Sequence, residues 1–148
     1  MRNTRYTQPA PRPGDGLGAA LTGRRVAAVS GGGRLELTLD GPVTVRVVHE
    51  FRFAGPAEVE HFYPELTFRP TGPLLALVGR KVGSARVTMA GGLELVFDGE
   101  GSSDDAASLS VPPHARLAPW SVFTPRGPVC AGLPGGEVVW PEPGGEPG

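Results

Sequence analysis

Apolar and polar residues alternate through Leu35-Glu36-Leu37-Thr38-Leu39-Asp40 and again through Val43-Thr44-Val45-Arg46-Val47. A period of two marks a strand with one buried face, because successive side chains leave the pleat on opposite sides. Asp40-Gly41 between the two runs tolerates the positive φ of a tight hairpin, so the pair reads as the start of an antiparallel meander. The same reading predicts strands over 26–30, 34–40, 43–53 and 57–63, then over 81–89, 93–97, 107–111, 120–124, 129–131 and 137–140. Between the two series, Pro70 to Val78 predicts one helical turn, with Pro73 at a tolerated first position and Gly79 as its terminator.

The pattern occurs twice. Leu21-Thr22-Gly23-Arg24-Arg25-Val26 matches Leu77-Val78-Gly79-Arg80-Lys81-Val82 at a shift of 56. Leu35-Glu36-Leu37 matches Leu93-Glu94-Leu95 at a shift of 58, and Asp40-Gly41 matches Asp98-Gly99 at that same shift. Phe51 to Pro56 resembles Phe123 to Pro128 at a shift of 72, the extra length falling between Gly99 and Pro119. Such self-similarity implies duplication. Two meanders with one apolar face each must bury those faces together. The expected fold is therefore all-β: two repeated antiparallel meander halves packed as a sandwich or barrel-like pair of sheets, with one short helical turn between them. Residues 1–17 read as a disordered, flexible Pro/Gly/Arg-rich arm, 18–141 as a single domain of two repeats (18–69 and 77–141), and 142–148 as a disordered tail.

Composition narrows the function classes. A chain of 148 residues has room for one domain and can fold without staples. A net charge of −1 supplies no long-range attraction to nucleic acid or to an anionic membrane, and neither is an expected partner. Cys130 is the single cysteine, which rules out an intramolecular disulfide and suits a reducing compartment. The first residues lead into no apolar stretch resembling a signal peptide, and the longest apolar run, Leu74 to Val78, is far too short to span a bilayer. A cytoplasmic location is expected.

The motifs that carry chemistry are missing or incomplete. Gly79-Arg80-Lys81-Val82-Gly83-Ser84 has the letters of a phosphate loop in the wrong order, and Gly31-Gly32-Gly33 lacks the strand-to-helix setting of a dinucleotide site. Cys130 sits in an apolar strand without a histidine nearby and reads as an inert thiol. The segment around Glu100, Asp104 and Asp105 gathers carboxylates but lacks the ligand alternation of a calcium loop. No cofactor or metal is expected. Trp120 and Trp140 read as seals at the ends of the second half's core; as exposed side chains they would instead form an interaction surface with Glu100, Asp104 and Asp105. His49 and His61 form a candidate polar pair. With Ala54-Gly55-Pro56 as a three-residue loop, His49 faces His61, whereas a two-residue loop flips every side chain.

Pro73-Leu74-Leu75-Ala76-Leu77-Val78-Gly79-Arg80-Lys81-Val82, Leu93 to Gly99, Val111-Pro112-Pro113, Trp120 and Pro134 to Trp140 together resemble an uncharacterised family of small actinobacterial proteins, a domain of unknown function. The resemblance implies a fold unit and brings no activity, cofactor or partner. On these grounds the chain is expected to be a non-enzymatic protein-interaction module, of the immunity or adaptor kind, whose partner is another protein. The alternative is a small-molecule-binding β-barrel, perhaps enzymatic, with its site between the halves. A packed apolar interior argues for the first, and an interior cavity with converging polar groups for the second.

Overall fold

The computed structural model describes residues 13–98 and 106–140. Its strands are β1 (Val26–Ser30), β2 (Leu35–Leu39), β3 (Val43–Val47), β4 (Phe51–Ala54), β5 (Val59–Phe62), β6 (Val82–Val87), β7 (Leu93–Phe97), β8 (Ala107–Val111), β9 (Trp120–Thr124), β10 (Gly127–Gly132) and β11 (Val138–Val139). Helix α1 (Pro13–Leu21) precedes β1, and the short helix α2 (Gly72–Leu75) precedes β6. Two antiparallel sheets result: one of six strands in the order β11-β10-β9-β3-β2-β1, the other of five in the order β5-β4-β8-β7-β6. They form a sandwich, not a closed barrel.

The alternation read from the sequence is the burial pattern. Leu35, Leu37 and Leu39 on β2, Val43, Val45 and Val47 on β3, and Leu93, Leu95 and Phe97 on β7 all point into one apolar core. The expected single strand over 43–53 is in fact two. The chain leaves the six-stranded sheet after Val47, crosses at Val48 to Glu50, and enters the five-stranded sheet as β4. Periodicity hides the crossing for a geometric reason. Both sheets aim their inner faces at the same core, so Val43, Val45, Val47, Phe51 and Phe53 keep one parity across the break.

Each sheet therefore takes a three-stranded meander from one part of the chain and, from the other, a hairpin, which β11 extends to three strands in the six-stranded sheet. β9-β10 pairs beside β3, and β4-β5 pairs beside β8. Where β1 and β6 begin, the sheets are joined by matched hydrogen bonds. Gly23 N–H donates to Val82 O and Gly79 N–H to Val26 O, both at 2.8 Å. Val26 N–H donates to Arg80 O at 2.8 Å and Val82 N–H to Arg24 O at 2.9 Å. β1 and β6 carry a register irregularity at the same place, after Val26 and after Val82.

Helix α1 corrects the reading of residues 1–17 as an arm, because 13–17 belong to it. Gly14, Gly16 and Gly18 each disfavour helix by about 1 kcal/mol, so local propensity does not announce it. Burial forms it: Leu17 and Leu21 are fully buried against β6. A Cβ on Gly18 would lie 3.2 Å from the Ala85 carbonyl oxygen, so the glycine that weakens the helix also lets it approach the strand. The rest of the expected arm, 1–12, and the expected tail, 142–148, lie outside the described residues.

Candidate functional site

With the inner faces apolar, the polar chemistry of the chain lies on the outer faces. On the five-stranded sheet, register aligns one outward residue from every strand into a row: His61 on β5 opposite Arg52 on β4, Arg52 opposite Ser110 on β8, Ser110 opposite Glu94 on β7, and Glu94 opposite Arg86 on β6. Arg86 is tied to Glu94 at 2.7 Å. A surface cleft of about 280 Å³ runs over this row, floored by Glu50, Arg52, His61 and Ser110 and walled by Pro112 and Pro113. The neighbouring row, Ser84, Val96, Ser108, Ala54 and Val59, is small and weakly polar. The face thus carries a charged stripe beside a smooth one.

The six-stranded sheet uses its charges differently. Glu36 on β2 accepts from Arg34 at 2.8 Å and from Arg46 at 2.7 Å, and the Arg46 guanidinium lies 4.7 Å from the centre of the Phe123 ring. Burial raises the Glu36 pKa, but the hydrogen bonds and charges of Arg46 and Arg34 outweigh it and hold the carboxyl below its ordinary 4.5. Among the described residues Arg52 has no carboxylate within 4.0 Å, so the cleft holds a guanidinium that is not committed to an ion pair.

His49 does not face His61. The β4-β5 hairpin turns on Pro56-Ala57, a two-residue tip, and pairs Arg52 with His61 and Phe51 with Phe62. One residue of loop length decides which face each histidine occupies. His61 lies exposed on the outer face, while His49 sits in the crossing between sheets. His49 Nδ1 is 2.5 Å from Glu65 Oε1, and its ring meets His114 edge-on at 4.2 Å between centroids. His114 lies in the other crossing, and its Nδ1 accepts N–H groups from Arg116 at 2.9 Å and Leu117 at 3.0 Å. With Nδ1 used as an acceptor, the neutral ring carries its proton on Nε2. The histidines pin the two crossings together at one end of the sandwich. Among the described residues no group of three or more His, Cys, Asp or Glu side chains could hold a metal ion.

Trp120 is core and not surface. It is only 2% exposed, its Nε1–H donates to Gly91 O at 3.2 Å, and Gly132 lies beneath the indole. Register makes Phe51 its counterpart on the other sheet, since Arg46 faces Ser121 and Ser110 faces Arg52. The Gly-Pro match at a shift of 72 is thus out of step by three residues. Trp140 is half-buried with a ring carbon near Gly16 of α1, and its Nε1 finds no partner among the described residues. Glu100, Asp104 and Asp105 lie outside the described residues. Cys130 is fully buried, and burial pushes its thiol up to about 12, which leaves no thiolate for chemistry near neutrality. Sequence reasoning does not mark His114, and it places Arg52 on an outward face without marking it as a site residue. Arg52 has a legible signal, as the outward position between Phe51 and Phe53; His114 has none.

These features define a two-sheet all-β domain that keeps a filled interior and carries its polar groups outside. The chain belongs to a family of unknown function, DUF6188, whose model matches residues 17–141. No curated protein and no solved structure matches the chain.

Proposed function

We propose that this chain is a non-catalytic protein-recognition module that meets its partner on the outer face of the five-stranded sheet. The observation that carries this reading is the filled interior. Leu35, Leu37, Val45, Leu93, Leu95, Leu109 and Val122 meet between the sheets at 0% exposure, where a barrel-type ligand site would need roughly 300 Å³ or more of space. The cleft of about 280 Å³ is instead on the surface, over Arg52 and His61. An interface needs this combination: a rigid sheet, an uncommitted guanidinium, and apolar walls at Pro112 and Pro113. Arginine is enriched among residues that dominate binding energy.

We also infer that the two parts of the chain arose by duplication of one unit and act as one folding unit. The matched bonds at Gly23/Gly79 and Val26/Val82 support this, as do the equivalent register irregularities. The lone buried Cys130 supports a reducing, cytoplasmic setting.

The cleft's size also favours a second reading, a small anionic ligand held by Arg52. One experiment separates the two. A photo-crosslinking amino acid is placed at Ser110 in the full chain and irradiated in cells. The recognition reading expects a discrete protein adduct that disappears with Arg52→Glu. The small-molecule reading expects no protein adduct, and a ligand that co-purifies with the wild type in native mass spectrometry.

A further inference from the structure

The two sheets differ at one edge. In the six-stranded sheet the chain leaves β10, makes a 3-10 turn at Pro134–Gly136, and returns as β11 to pair with β10. In the five-stranded sheet the chain leaves β5 and makes a 3-10 turn at Pro64–Leu66, but among the described residues no strand returns. The residue after each turn accounts for the difference. Glu137 is extended, with φ −74° and ψ 156°, and lets the chain run back along β10. Thr67 has φ 65° and ψ 125°, a conformation that a β-branched residue rarely adopts, and it sends Phe68 away to bridge Gly32. A strained residue thus keeps the chain off the β5 edge. Strain of this kind persists only where the surrounding structure holds it, often at functional positions.

The hydrogen-bonding phase of β5 follows from the hairpin. Gly55 N–H donates to Glu58 O, which makes 55 and 58 a bonded pair, and bonded pairs recur at every second position. Glu60 and Phe62 therefore turn their backbone groups toward β4. Val59 and His61 turn their N–H and C=O groups outward, and among the described residues these groups make no backbone hydrogen bond across the edge. Val59, 54% exposed, and His61 also project from the outer face, where His61 and Arg52 share the cleft.

We propose that β5 is a strand-addition edge that takes an extended segment of a partner protein, filling on this sheet the place that β11 fills on the other. The proposal rests on the recognition reading and adds the mode and the chemistry of the partner. An added strand continues the two outer rows. Beside Val59 it places an apolar side chain. Beside His61 it places a side chain about 10 Å from β4, two strand spacings, within a guanidinium's reach. Arg52, with no carboxylate of its own among the described residues, selects an aspartate or glutamate there. Positions on one face recur every second residue, so the recognised segment carries an apolar and an acidic residue separated by one. Backbone bonds supply affinity and these two side chains supply specificity.

The test uses the full chain and a phage-displayed library of random peptides. Selected peptides are measured against the wild type, Val59→Pro and Arg52→Met. Proline at Val59 removes an outward N–H without touching the β4 ladder. A consensus with apolar and acidic residues one apart is expected, with binding at least about tenfold weaker to Val59→Pro, equivalent to about 1.4 kcal/mol. Arg52→Met should keep binding and lose the acidic preference. Should Val59→Pro fail to fold, amide exchange on the wild type replaces it: bound peptide must protect the Val59 and His61 amides. Failure to enrich any consensus, peptides that bind Val59→Pro equally, or concentration-dependent pairing of two copies through β5 would overturn the proposal. The Ser110 adduct would survive each of these results if the recognition reading alone is right.

Discussion

Gly132→Ala tests the packing that buries Trp120. An added Cβ would lie 2.5 Å from Trp120 Nε1, 2.8 Å from Cε2 and 3.0 Å from Cδ1. Gly132 is not among the positive-φ residues, so the cost is steric and not conformational. To restore van der Waals contact the indole must retreat by about 1 Å. It has nowhere to go, since it is 2% exposed and hydrogen-bonded to Gly91 O at 3.2 Å. Overpacking costs about 1–3 kcal/mol, and the weakened hydrogen bond adds about 0.5–1.5 kcal/mol. Alanine restricts the unfolded chain and returns about 0.4–1 kcal/mol. The net destabilisation is about 2 kcal/mol. In a urea titration followed by circular dichroism, this lowers the midpoint by about 1 M at a slope of about 2 kcal/mol/M. Trp120→Leu removes the clashing atoms, so the double variant should cost about 1–2 kcal/mol less than the two single costs combined. A neutral Gly132→Ala, or strict additivity in the cycle, would refute the argument.

Four further outcomes follow from the same structure. Residues 13–76 and 77–140 expressed separately should each fail to melt cooperatively, because each lacks the strands its hairpin pairs with; a cooperative melt near the intact chain's temperature would refute the single-core reading. Thr67→Gly should raise stability by about 1 kcal/mol, the relief of about 1–3 kcal/mol of strain less the entropy of glycine, and an unchanged or lower thermal midpoint would show that Thr67 is unstrained. Glu36→Gln should cost under about 1 kcal/mol at pH 7, since its arginine partners are more than a third exposed. The Glu36 carboxyl is held low, so its contribution is present above the ordinary value of 4.5 and is lost as pH falls through the lower folded value. The wild type and variant should thus converge in urea midpoint between about pH 5 and 3. Cys130, buried and with its thiol pushed up to about 12, should resist a disulfide reagent at pH 8 until the chain is unfolded; prompt reaction in the native state would contradict its burial.

Much of the site was illegible for specific reasons. His49 and His61 looked paired because loop length is the weakest part of a strand reading, and a tip at Pro56-Ala57 moved them to different places. His49 meets His114 across 65 positions of chain, which no local pattern encodes. Trp120 reads as a core seal from its apolar strand, but what it packs against shows only when Gly132 is seen beneath it. The open edge at β5 depends on one backbone angle at Thr67, a residue type that signals nothing of the kind.

Features that depend on neighbours along the chain are legible in the residues alone. Alternation placed the leucines of β2 and β7 and the valines of β3 on buried faces, and Asp40-Gly41 marked a turn, with Gly41 at φ 116°. The residues alone also predict the helical turn before β6 and two sheets packed face to face. Long-range packing sets which strands share a sheet, because the crossing at Val48 to Glu50 preserves parity and leaves no trace in the period. It alone formed α1, whose three glycines oppose a helix that Leu17 and Leu21 stabilise by burial. It alone brought His61, Arg52, Ser110, Glu94 and Arg86 from five strands into one row, since lateral neighbours are set by register and not by sequence.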